Sequence, residues 1–98
     1  MKKTVNILQK AEAVVYGRGE AAYGPPKANM TTTAEMWESY LRRRGIITVD
    51  EAPSILPRDV SNMMVLLKVS REANTFLEDN LIDIAGYAAV GDRVAKEG

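Results

Sequence analysis

The chain contains no cysteine and no histidine. Without thiols there is no disulfide and no thiolate zinc site. Without imidazole, any general acid or base work falls to carboxylates, Lys and Tyr. A bound metal would have to be a hard, oxygen-ligated cation such as Mg²⁺ or Mn²⁺. Neither sign of charge is in surplus, with 13 basic and 13 acidic residues. That argues against a protein that coats nucleic acid, which needs excess positive charge, but it leaves room for a local basic pocket. No apolar run approaches the roughly 20 residues of a membrane span. Asn6, Gln9, Lys10 and Glu12 break up the stretch after Met1-Lys2-Lys3, so no signal peptide is expected. Neither a membrane nor nucleic acid is expected as a partner, and the expected location is cytoplasmic.

What is present suits a small globular chain: 98 residues, 46% hydrophobic and 27% charged. It reads as one domain, 1–98. Ile7, Leu8, Ala11, Val14 and Val15 recur at helical spacing and predict a helix over residues 4–16. Gly17, Gly19, Gly24, Pro25 and Pro26 predict a loop over 17–29. Thr32 and Glu35 have capping-box spacing, with Met30 as a hydrophobic staple. The next helix should therefore run to about Arg44, with Met36, Trp37, Tyr40 and Leu41 as its apolar stripe. The Arg42-Arg43-Arg44 run suits a solvated last turn beside the negative end of the helix dipole, and Gly45 suits the residue after it. Residues 46–57 read as a connector with at most one short strand or helical turn. Pro57 opens a helix to about Asn74, with a buried stripe of Val60, Met63, Met64 and Leu67. After a short link, a last helix runs from Asp79 or Asn80 to about Lys96. The fold class is all-α, a compact bundle of about four helices. A chain this short buries a limited core, so a homo-oligomer is expected. The small residues Ala85, Gly86 and Ala89 offer the close-packing face.

The last two helices carry the candidate chemistry. Lys68, Arg71 and Glu72 share one face of the first, and Asn80, Asp83 and Tyr87 share one face of the second. Asp83 interrupts an apolar run, Leu81-Ile82 and Ile84-Ala85, which favours a functional carboxylate over a solvated one. Asp79 and Asn80 also suit a plain helix N-terminus, and Lys68 and Arg71 also suit ordinary surface charges. If the two faces meet, cations, carboxylates and a ring converge, which suits a phosphate-bearing ligand. Arg18 and Tyr23-Gly24-Pro25 in the predicted loop would complete such a pocket, with Tyr23 free to stack. Trp37 and Tyr40 read as core.

Taken in order, Arg18, Tyr23-Gly24-Pro25, Asn29, Trp37, Leu56-Pro57, Val60, Met63, Lys68, Arg71, Asp79-Asn80, Asp83 and Gly86-Tyr87 resemble small domains encoded by bacteriophages and prophages. More distantly, the last two helices resemble the all-α nucleoside triphosphate pyrophosphohydrolases of the MazG type. That superfamily holds Mg²⁺ with a Glu-Glu-x-x-Glu helix and a Glu-x-x-Asp helix. Here Asn80-Leu81-Ile82-Asp83 matches the second motif with Asn in place of Glu, and the Glu72 helix offers one carboxylate where the first motif has three.

The resemblance implies a MazG-like, phage-type nucleotide-binding protein acting in the host cytoplasm. Its ligand would be a nucleotide or cyclic oligonucleotide, a second messenger of host defence that the protein would sequester in an anti-defence role. Arg18, Lys68 and Arg71 would hold phosphate, Tyr23 or Tyr87 would stack, and Asn80 and Asp83 would read base or ribose. No cofactor is required in that reading. The enzyme alternative is a Mg²⁺-dependent pyrophosphohydrolase with Glu72, Asp79 and Asp83 on the metal. A third reading is a helical interaction module with no small ligand.

Overall fold

A capping box starts the first helix. Asn6 Oδ1 accepts from the Gln9 N–H and Gln9 Oε1 accepts from the Asn6 N–H, both at 2.9 Å, so two orphan donors are satisfied reciprocally. The computed structural model describes residues 4–97, apart from the side chains of Arg18 and Glu20. From its cap, α1 (Ile7–Ala13) passes through a π turn (Val14–Arg18) into α2 (Gly19–Tyr23). The expected loop over 17–29 is therefore mostly helix. The π turn takes up one extra residue, and within it Gly17 departs from helical geometry at φ −111°, ψ −112°, so the helix is kinked there. A Cβ at Gly19 would run into the Val14 carbonyl oxygen, so glycine is needed there to make the wide turn, not to end the helix. The chain leaves the helix altogether at Gly24-Pro25, with Gly24 at φ +79°.

Pro26 then opens α3 (Pro26–Arg43) as its first residue, the position where a missing N–H costs nothing. Thr32, expected near the start, lies well inside this helix. A pair of bonds closes α3: Gly45 N–H to Arg42 O at 3.0 Å and Ile46 N–H to Leu41 O at 2.9 Å. Gly45 is left-handed at φ +75°, as this C-terminal motif requires. Residues 46–56 form an irregular connector, and no strand occurs among the described residues. Pro57 and Asp59, whose carboxylate accepts from the Leu56 N–H at 2.8 Å, start α4 (Pro57–Asn74). Glu78 and Asp79 occupy the positive first turn of α5 (Glu78–Lys96).

The architecture is thus all-α, with four principal helices: a kinked first one and α3 to α5. The core joins Met30 and Ala34 of α3, Val60 of α4 and Val94 of α5, with Trp37, Ile55, Met64 and Val90 against it. Burying a side chain such as Val60 contributes about 1.5–3 kcal/mol. The stripes differ from expectation. Met36 and Tyr40 on α3, and Met63 and Leu67 on α4, are exposed. The helices turn through Ala34 and Met64 toward the core, which displaces those side chains outward.

The small residues of α5 are used within the chain. A Cβ at Gly86 would meet Val15 at 3.5 Å, and one at Gly91 would meet Ser61 Oγ at 3.2 Å. The face expected to join subunits around Gly86 instead receives the first helix. Nor is the bundle compact. It measures 60 × 33 × 20 Å, with a radius of gyration of 15.4 Å against about 12.6 Å for a compact chain of this length. No helix of the described residues is long and apolar enough to cross a membrane.

Candidate functional site

A short link, Thr75-Phe76-Leu77, folds α5 back antiparallel on α4, so the two faces singled out in the sequence meet in part. Lys68 Nζ of α4 reaches Asp83 Oδ2 of α5 at 2.9 Å. Asp83 and Tyr87, one turn apart on α5, line a cavity of about 500 Å³. Tyr23, at the end of α2, lines the same cavity. Its volume lies within the range of small-molecule sites.

The walls are mostly apolar, with Met30, Met64, Ile82 and Val90 among them, and Trp37 adds a third ring. Asn29, Thr33 and Trp37 reach the cavity from successive turns of α3. Asn29 Nδ2 donates to the Tyr23 carbonyl at 3.2 Å, and Thr33 Oγ1 donates to the Asn29 carbonyl at 2.9 Å. The Asn29 bond ties the end of α2 to α3 and holds the Tyr23 wall in place. Burial holds the Tyr87 hydroxyl above its ordinary pKa. The positive charge of Lys68 opposes that shift, while Asp83 and Tyr23 add to it. The phenol therefore stays protonated at neutral pH and can donate a hydrogen bond into the cavity.

Of the residues singled out in the sequence, Tyr23, Asp83 and Tyr87 line this cleft, and Lys68 is held at its edge through Asp83. Arg71 is exposed and is not part of the lining. The side chain of Arg18 lies outside the described residues. Asn80 is 6% exposed and is buried outside the cleft, so it does not read a ligand there. The three acidic candidates for a metal do not assemble. Asp83 is paired with Lys68, Asp79 is exposed, and Glu72 is half-buried on α4. Among the described residues no three acidic side chains form a group able to hold a metal ion.

Of Asn29, Thr33 and Trp37, the sequence shows Asn29 and Trp37 only within the phage-domain resemblance, with Trp37 read as core, and does not mark Thr33. Their i, i+4, i+8 spacing is a usable signal, but only for a helix that starts at Pro26.

Asn80 Nδ2 and Glu72 Oε2 are buried without a hydrogen-bond partner. An unmet buried donor costs about 1–3 kcal/mol. Asn80→Leu should therefore stabilise the fold by about 1 kcal/mol, read as a higher midpoint in urea with an unchanged slope. A lower midpoint would show that the amide is satisfied.

Fold and site together define a small all-α domain with an aromatic-lined cleft and an ion pair at its edge. The chain belongs to DUF6378, a domain of unknown function, which matches residues 6–95. It is 35% identical over 91 residues to the Gene 55 protein of Mycobacterium phage L5, across 92% of this chain and 53% of that protein. It is 30% identical over 93 residues to the Gene 55 protein of Mycobacterium phage D29, across 94% of this chain and 55% of that protein. The chain thus spans about half the length of these phage relatives. No solved structure matches it significantly. The resemblance to phage-encoded domains therefore holds.

Proposed function

We propose that this domain binds a nucleotide and does not hydrolyse it. The observation that carries the reading is one apolar cavity lined by Tyr23, Tyr87 and Asp83, with Lys68 paired to Asp83 at its edge. A nucleobase is flat and apolar on its faces and polar on its edge. Trp37, Tyr23 and Tyr87 offer stacking surfaces, and Asp83 offers an acceptor for a base amine or a ribose hydroxyl. Lys68 supplies the cation for a phosphate at the edge of the cavity. The phage kinship supports a setting in which such a binder sequesters a nucleotide or cyclic oligonucleotide second messenger of host defence.

The MazG-type alternative requires several oxygen ligands on one Mg²⁺. Among the described residues, Glu72 and Asp79 do not gather with Asp83 into a metal-holding group. That supports binding over hydrolysis.

A thermal-shift screen with mononucleotides and cyclic dinucleotides, with and without Mg²⁺, tests the reading. A ligand at 100 times its Kd should add about 2.7 kcal/mol of stability, with no turnover. If no nucleotide raises the midpoint, the reading fails. Mg²⁺-dependent release of pyrophosphate would replace it with the hydrolase.

A further inference from the structure

The outer face of α4 is uncharged and half apolar. Asn62, Met63, Leu66, Val69, Ser70 and Ala73 are all exposed, and all lie within about 60° of Leu66 around the helix. Leu66 itself is 66% exposed. Between Val60 and Asn74 this face holds no charge. Lys68 is turned to Asp83, and Arg71 and Glu72 lie about 140° and 120° round the helix from Leu66. A solvated helix face carries charged residues; one without them for three turns needs a cover.

We propose that the cover is a second copy of this chain, packed through α4 in an antiparallel pair with Leu66 on the two-fold axis. Three observations select that occupant. The first is the pattern itself. In an antiparallel pair crossing at Leu66, residues equally far before and after it face each other. Met63 then meets Val69, Asn62 meets Ser70, and Leu66 meets its own copy. Asp59 falls opposite the small Ala73, with its carboxylate turned back to the Leu56 N–H. Beyond the helix ends, Leu56 is 41% and Phe76 68% exposed. Apolar faces apolar at Leu66 and Met63–Val69, and polar faces polar at Asn62–Ser70, the self-complementarity that a two-fold interface demands.

The second is area. The chain exposes 7151 Å², whereas a compact monomer of 10.8 kDa exposes about 5,500 Å². The excess is about 1,600 Å². A stable dimer buries about 800 Å² per partner. The third is charge. The chain is neutral, with 13 basic and 13 acidic residues, so two copies meet without net repulsion. The pairing leaves the cleft free, and it stands whether or not a nucleotide binds there.

Sedimentation equilibrium of the intact chain tests the proposal. The wild type should have twice the 10.8 kDa chain mass at micromolar concentration, and Leu66→Asp should halve it while the helical circular dichroism is kept. Because the chain has no cysteine, a single introduced thiol reports the axis. Leu66→Cys should form a disulfide-linked dimer on mild oxidation. Asn62→Cys should link to Ser70→Cys when the two are mixed, and much less to itself. These thiol variants also serve if Leu66→Asp fails to fold. A monomeric wild type at 100 times that concentration overturns the proposal. So does a dimer that survives Leu66→Asp, or one that Leu66→Cys fails to cross-link.

Discussion

Arg42→Ala is expected to be the most destabilising single truncation on the surface of this fold. Glu38 on α3 is 8% exposed. Its Oε1 accepts from the Ser54 N–H at 2.7 Å and the Ile55 N–H at 2.9 Å. Arg42, one turn on, donates to Glu38 Oε2 from Nε at 3.0 Å. It also reaches the carbonyls of Val49 at 2.6 Å and Glu51 at 3.0 Å. The two side chains thus hold the irregular connector onto α3. Losing even one hydrogen bond to a charged group costs about 1.5–3 kcal/mol. Arg42→Ala removes several and leaves Glu38 without its counter-charge, so a loss of about 3 kcal/mol is expected in urea unfolding. A change under about 0.5 kcal/mol, the range of an ordinary surface substitution, would show that the connector is not held this way.

The same pair sets the response to acid. The Ile55 N–H holds the Glu38 carboxyl below its ordinary value of 4.5, with Arg42 and Ser54 adding to the shift and burial opposing it. As the pH falls, the unfolded chain takes up this proton before the folded one does. The contribution of Glu38 is therefore complete above pH 4.5 and is lost as the pH falls through the lower folded value. With no histidine, no side chain of ordinary pKa titrates between about pH 5 and 8, so the acid limb should stand out cleanly. Glu38→Gln should flatten it.

The helices are legible in the sequence wherever the local chemistry is strong. Pro57, the helical period of residues 57–74 and the Gly45 stop all state their roles locally. The segment from Gly17 to Asn29 does not. Glycine permits a break without requiring one. Whether Gly19 ends a helix or makes room for the Val14 carbonyl depends on a wide turn that no spacing announces. The consequence carries forward. Starting α3 at Thr32 and not at Pro26 hides Asn29 as a site residue, and it sets the stripe on Met36 and Tyr40. At the site, the face of Asp83 and Tyr87 is legible from their i, i+4 spacing. The offset that leaves Arg71 outside and buries Asn80 is set by how α4 and α5 slide against each other. Gly91 against Ser61 helps to decide that, and it is a tertiary contact.

Lys68 and Asp83 carry the second large effect. At 2.9 Å, Lys68 holds the Asp83 carboxylate at one edge of the cleft, with Tyr87 a turn away. In the binding reading, Lys68 serves ligand phosphate and Asp83 serves the base or ribose. Lys68→Ala removes a charged hydrogen bond to phosphate, worth about 1.5–3 kcal/mol, and leaves an uncompensated carboxylate facing an anion. Nucleotide affinity should fall by about tenfold to a hundredfold, measured by calorimetry. Asp83→Asn keeps the shape, removes the repulsion and frees Lys68, so affinity for the phosphate should hold or rise. Arg71→Ala should leave affinity nearly unchanged, since Arg71 is exposed and, unlike Lys68, is not tied to the cleft through Asp83. Equal losses in Lys68→Ala and Arg71→Ala would move the phosphate out of the cleft and onto the exposed side of α4. A loss of turnover in Asp83→Asn would instead identify a hydrolase.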